Sequence, residues 1–191
     1  MSLAPDPRDL TTIANLQAWL GLTNVQQATA DQLQRLVTSV SLWIQNKISR
    51  IIPDQPYVET RDGQGGTRMV LGNYPVIAVS SVVVDGVTIP PSPGSGQDGW
   101  VLANDGITLR NYTFDDDDVA NCIFSYTAGY TVIPGDLEQA CLELAALRWR
   151  DRDHIGNTSI SMGGQQTNFF IKDMPASVAT ILQQWNKVVP C

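Results

Sequence analysis

Apolar residues recur at helical spacing towards both ends of this chain and at strand spacing in its middle. From about Asp9 to Leu20, Ile13, Leu16 and Leu20 fall on one face, and Gly21 is placed to end the helix. A longer stripe follows: Leu33, Leu36, Val37, Val40, Trp43, Ile44, Ile48 and Ile51 repeat over roughly five turns. Thr29 and Gln32 have the spacing of a capping box at its start, and Pro53 closes it. Such a stripe reads as plain core. From about 55 to 130 the period changes. Val, Ile and Thr rise, and Asp85-Gly86 and Asn104-Asp105-Gly106 interrupt apolar runs with residues that tolerate the positive φ of tight β-turns. In NCIFSYTAGY, Cys122, Phe124 and Tyr126 alternate with Ile123 and Ser125, a strand with one buried face. The segment 90–99, PPSPGSGQDG, is a loop.

Helical spacing then returns. Pro134 and Asp136 mark the start of a helix running to about Asp153. Leu137, Cys141 and Leu144 line one of its faces, while Leu142, Ala145, Ala146 and Trp149 supply a second. A helix apolar on two sides needs two partners, and another subunit is one candidate. A last helix, from about Asp173 or Pro175, carries Val178, Ile181, Leu182, Trp185 and Val188. Between these two helices, 154–172 reads as a long polar arm in which Phe169 and Phe170 stand out; such arms either dock on something or fold back on the core.

The pattern predicts an α+β protein: a small bundle of about four helices, with an antiparallel β-rich module inserted between the second and third long helices. The expected divisions are 1–54 (helical), 55–130 (β-rich) and 131–191 (helical, completing the bundle). With 43% hydrophobic and 16% charged residues the chain has enough apolar material for a core, which excludes intrinsic disorder. No apolar run reaches the length of about 20 residues that a bilayer requires. The opening MSLAPDPRD has acids and prolines where a secretory signal would carry a basic and then an apolar run, so a soluble protein made in the cytoplasm is expected. The net charge of −7, with basic residues scattered apart from Arg148, Arg150 and Arg152, argues against sequence-specific nucleic-acid binding.

No catalytic constellation is legible. Asp115, Asp116, Asp117 and Asp118 form a run of consecutive acids, whereas calcium loops alternate their ligands around a glycine and close with a bidentate Glu. The run reads as a solvated turn. Cys122, Cys141 and Cys191 are too widely spaced for a zinc site and read as reduced thiols, and the one histidine, His154, sits where it can meet a helix C-terminus. Gly63, Gly65 and Gly66 make a turn, because no Lys-Ser/Thr follows as in a phosphate loop. Hence no catalytic, metal or cofactor residue is expected.

Two segments together resemble the tailed-phage head–tail connector family, the adaptor or head-completion proteins. One is DLTTIANLQAWLGL with ADQLQRLVTSVSLWIQNKIS. The other is FSYTAGYTVIPGDLEQACLELAALRWRDRDHIG, where Tyr126, Ala128, Gly129, Tyr130, Pro134, Asp136, Leu137, Trp149, Arg150 and Arg152 carry the match. The resemblance implies a structural virion protein without enzymatic activity or cofactor. It would form a ring of about twelve copies under the portal protein, linking the DNA-filled capsid to a stopper or tail-completion protein. DNA would pass through the lumen without sequence-specific binding. In that setting Trp149, Arg150, Arg152, Phe169, Phe170 and Trp185 are the candidate contacts with neighbours or portal, and Asp115 to Asp118 would face the lumen or the exterior. Two rivals stay open beside it. One is another ring protein of the same junction, a stopper or terminator; the other is a binding module using Trp100, Tyr112 and Phe114. A third, an enzyme using the acid run with a metal, ranks below both.

Overall fold

The computed structural model describes residues 3–116, 118–152 and 174–187 in full, and the backbone alone at 159–162 and 165–168. The chain divides into two compact units, Met1–Pro53 with Val132–Lys187, and Asp54–Thr131. Among the described residues no helix is long and apolar enough to cross a membrane.

The first unit is helical: α1 (Ile13–Leu20), α2 (Gln27–Lys47), α3 (Gly135–Asp151) and α4 (Ala176–Gln184). α3 is its axis, packing against α1, α2 and α4. Leu137, Ala140, Cys141, Leu142, Leu144, Ala145 and Ala146 of α3 are buried, and four of these seven are alanine or cysteine, side chains small enough to let neighbouring helices close in. Both apolar faces expected of this helix are therefore covered by helices of its own chain.

Three helix boundaries differ from the sequence pattern, each for a local reason. α1 starts at Ile13 rather than near Asp9, because the Thr12 side chain accepts the Asn15 N–H at 3.2 Å and caps the helix there. α2 starts at Gln27, its ladder opening with the Ala30 N–H on the Gln26 carbonyl at 2.9 Å. No side chain caps Gln26, so the Thr29/Gln32 pair lies within the helix and is not its capping box. α2 also stops at Lys47, short of Pro53. Ser49 turns left-handed (φ 54°), its N–H donates to the Asn46 carbonyl (3.2 Å), and the Arg50 N–H reaches back to Gln45 (3.0 Å). That pair of bonds is a Schellman termination, normally built on glycine.

The apolar stripe of α2 is core, with Leu33, Val37, Val40, Ile44 and Ile48 buried, and a polar row lies beside it. Gln34, Ser41 and Gln45 lie on one side of it and are buried (4%, 0% and 4% exposed). They strap down the extended segment that precedes α1. Gln34 donates to the Asp9 carboxylate (2.7 Å), Ser41 Oγ accepts the Leu10 N–H (2.9 Å), and Gln45 donates to the Arg8 carbonyl (2.9 Å) while accepting the Ile52 N–H (3.1 Å). A segment outside any helix or sheet must find partners for its buried backbone groups, and this polar stripe supplies them.

The second unit holds two antiparallel sheets. β1 (Gln55–Arg61), β7 (Cys122–Ala128), β3 (Val76–Val84) and β4 (Val87–Ile89) form the larger, in the order β1-β7-β3-β4. β2 (Arg68–Val70), β6 (Gly106–Arg110) and β5 (Gly99–Ala103) form the smaller, in the order β2-β6-β5. Val82, Val84, Cys122, Phe124, Tyr126 and Ala128 of the first meet Met69, Ile107 and Leu109 of the second in one apolar cluster, with Phe114 edge-on to Phe124 (centroids 5.7 Å apart). The two expected hairpins are present. Asp85 and Gly86 (φ 50° and 75°) join β3 to β4, and Asn104 and Asp105 (φ 49° and 56°) join β5 to β6.

Between α3 and α4, the segment read as an arm contains β8 (Ser159–Met162) and β9 (Gln165–Asn168), paired antiparallel with Met162 opposite Gln165. Phe169, Phe170, His154, Val188 and Cys191 lie outside the described residues.

The α2 terminus yields a direct test. Replacing Ser49 by Gly removes the cost of a side chain in the left-handed region, so Ser49→Gly is expected to raise stability by about 1 kcal/mol. In urea unfolding this appears as a higher midpoint with an unchanged slope.

Candidate interaction surfaces

In the helical unit, the C-terminal turn of α3 gathers the residues singled out from sequence. The Arg152 guanidinium lies over the Trp149 ring, 3.9 Å from its centroid, and donates to the Trp149 carbonyl. Arg148 covers Trp43 of α2 in the same way at 5.4 Å. Arg150 is exposed and makes no ion pair among the described residues. Trp185 is elsewhere and otherwise engaged. Its indole N–H donates to the Asp136 carboxylate at 2.7 Å, and Arg50 stacks on its ring at 5.7 Å, so it fastens the end of α4 to the first turn of α3 and to the α2 terminus.

The acid run of the β unit is a solvated loop. Asp115, Asp116 and Asp118 are exposed, and Asp117 lies outside the described residues. Asn121, buried to 9% exposure, organises the loop: it donates to the Asp85 carboxylate (2.9 Å) and the Asp115 carbonyl (2.8 Å) and accepts the Gly63 N–H (2.8 Å). Gly63 passes so close that a Cβ there would sit 1.7 Å from the Asp115 carbonyl oxygen. The glycine turn is thus the bed on which the acid loop lies. No group of three or more His, Cys, Asp or Glu able to hold a metal occurs among the described residues.

Four groups with shifted ionisation, Glu59, Tyr126, Cys122 and Cys141, serve the fold. Burial opposes charge on Glu59, but hydrogen bonds from Tyr126 and the Gly72 N–H, together with the Arg61 guanidinium, outweigh it and hold its carboxyl below the ordinary value. Burial and that same carboxylate push the Tyr126 hydroxyl well up. Tyr126 also receives the Asn73 amide (3.0 Å) and stacks on Tyr57 (5.6 Å), so the cluster is closed on itself. Burial pushes the Cys141 thiol up to about 12, and burial also raises Cys122; both are free, buried and unsuited to act as nucleophiles. Of the aromatics considered for a ligand face, Phe114 is wholly buried and Trp100 packs against the core, leaving only Tyr112 exposed (36%). They do not form a binding platform.

Sequence reasoning missed Gln34, Ser41, Gln45 and Asn121. The signal for the first three was present, since polar residues at i, i+7 and i+11 share a face flanked by leucine and valine. Asn121 carried no pattern of its own.

The chain matches the head completion protein family over residues 9–188 and belongs to it. As a member of that family it is a structural protein of head completion. A search of curated proteins finds no match. Among solved structures, the chain resembles one from the neck of a native gene transfer agent particle computed with C12 symmetry, at 16% identity and TM-score 0.60, covering 99% of this chain and 94% of that one. A second, from the neck of an empty gene transfer agent particle computed with C6 symmetry, has 17% identity and TM-score 0.61, covering 100% and 96%. A third, from the virion of the native particle, has 17% identity and TM-score 0.58.

Replacing Asn121 by Ala leaves the Gly63 N–H and the Asp115 carbonyl without their partner. Asn121→Ala is expected to cost about 2 kcal/mol and to expose the 115–118 loop to protease while the helical unit stays protected. Protease mapping with denaturant unfolding reads both effects.

Proposed function

We propose that this chain is the adaptor of a phage-like neck. Copies, about twelve of them, form a ring on the portal and present a second face to a stopper or tail-completion protein. The observation that carries this reading is the family match over residues 9–188. The likeness to neck structures solved under C12 and C6 symmetry supports a ring. The adaptor does no chemistry: the ionisable groups with shifted pKa in the β unit are bound into the fold, and its work is docking. The exposed carboxylates of Asp115, Asp116 and Asp118 suit a wall past which DNA slides, because like charge keeps phosphate from sticking.

The arm 154–172 is proposed as the portal contact, with Phe169 and Phe170 as its apolar anchors. Mixed with its portal and imaged by electron microscopy, the chain should appear as a ring capping the portal. Phe169→Ser with Phe170→Ser should reduce attachment at least about tenfold while the circular dichroism stays native. Undiminished attachment of the double variant removes the arm from the interface, and a portal that never acquires the ring contradicts the adaptor reading.

A further inference from the structure

At the N-terminal end of α3 the helical unit has an open cleft of about 410 Å³. Pro5, Leu10, Ile13, Val132 and Ile133 give it apolar walls, and Asp6, Asp9 and Glu138 give it carboxylates. Asp6 is already paired with Arg8 (3.1 Å). Glu138 has only neutral partners, the Thr11 hydroxyl (3.0 Å) and the Asn15 amide (2.7 Å). Asp9 accepts at Oδ2 from Gln34 (2.7 Å) and from the Asp6 N–H (3.0 Å), its Oδ1 is buried with no hydrogen-bond partner, and burial raises its carboxyl above the ordinary value. Val132, on the cleft wall, is 79% exposed. The cleft therefore combines an apolar lining, uncompensated negative charge and an uncovered hydrophobic margin. These are the requirements of a socket for a long basic side chain, whose aliphatic stem lies on the walls while its cation meets the acids.

The matching knob is on the same helix. Arg150 lies twelve residues beyond Glu138 on α3, about 18 Å further along the axis. It is exposed, makes no ion pair among the described residues, and is flanked by the Trp149–Arg152 stack. Socket and knob at opposite ends of one rigid helix make a head-to-tail pair of surfaces, and head-to-tail contacts whose rotation closes generate rings. We propose that the cleft at Asp9 and Glu138 receives Arg150 from a second copy of this chain, and that this contact is repeated around the neck ring. The occupant is argued from charge: copies carrying a net charge of −7 repel one another, so contact between them requires a local positive feature, and Arg150 with Arg152 is one on this unit. The inference rests on the ring reading above and adds which surfaces make it.

Two exposed positions test it without touching the core. Val132→Arg sets a guanidinium over the copy's own carboxylates and fills the socket; Arg150→Glu sets an acid against them. Each variant is expressed in place of the wild-type chain in particle-producing cells, with circular dichroism of the purified protein confirming the native fold. Its amount in purified particles is measured by mass spectrometry against the major capsid protein. Each single change should lower incorporation at least about tenfold, and the two together should restore it to within about threefold of wild type. As a second reading, Val132→Cys with Asp151→Cys on a Cys191→Ser background retains Arg150. A short bismaleimide should then link this variant into a ladder of multimers within particles. Single variants that incorporate normally, a double that restores nothing, or a bismaleimide product that stays monomeric each overturn the pairing while leaving the neck reading standing. Absence of the wild-type chain from particles overturns the neck reading, and the ring contact with it.

Discussion

The helical unit depends on α3 being enclosed by segments from both sides of a long insertion. α1 and α2 come before the β module and α4 comes after it, yet all three pack on the same 17-residue helix. The small residues Ala140, Cys141, Ala145 and Ala146 make this possible, since a helix surrounded closely cannot carry bulky side chains on every face. Much of the remaining order follows from that enclosure. The Trp185 indole on Asp136, the Ser177 hydroxyl on Glu143 (3.0 Å) and the Thr11 hydroxyl on Glu138 are all side-chain bonds between α3 and segments remote in sequence. Folding of this unit accordingly requires contacts of large sequence separation, and the closing of the chain around its insertion is part of forming the core.

The β unit satisfies itself by a different device. Its two sheets share one apolar cluster, and two of its polar networks are centred on Glu59 with Tyr126 and on Asn121. The residues that carried the family resemblance acquire a physical meaning here. Tyr126 and Ala128 belong to the buried face of β7, and the Gly129 N–H, at φ 124°, donates to the Pro75 carbonyl (2.9 Å). Tyr130 accepts the Asp54 N–H (3.2 Å), closing the base of the insertion where the chain enters and leaves it. Pro134 offers its carbonyl to the Glu138 N–H (3.0 Å) to open α3. From Tyr126 to Leu137 the signature is therefore the joint from β7 to the central helix.

The two hairpins were legible because Asp85-Gly86 and Asn104-Asp105 adopt a conformation that few other residue pairs accept. The alternation of Cys122, Phe124 and Tyr126 was legible because one face of β7 is buried. Less visible were features in which local chemistry overrode the pattern. β1 alternates, but its outward positions include Pro56 and Thr60, and Val58 is 74% exposed, so its polarity does not mark a buried side. Ser49 ends α2 within an apolar stripe because hydrogen bonding at the helix end outweighed the side-chain period there. Trp185, named beside Trp149 as a candidate contact, makes two interactions within its own unit. The socket lined by Asp9, Val132 and Glu138 had no sequence signal, since residues more than a hundred positions apart meet there.

A subunit of this kind is understood through its surfaces, and the carboxylates, arginines and exposed apolar side chains described above are the means by which it can fit copies of itself and a larger ring. The most direct measurement is single-particle imaging of necks released from purified particles, with the chain identified in the density. The account predicts a closed ring of this chain at the head–tail junction, its α3 helices following one another head to tail. Particles complete with head and tail but lacking this chain would contradict it.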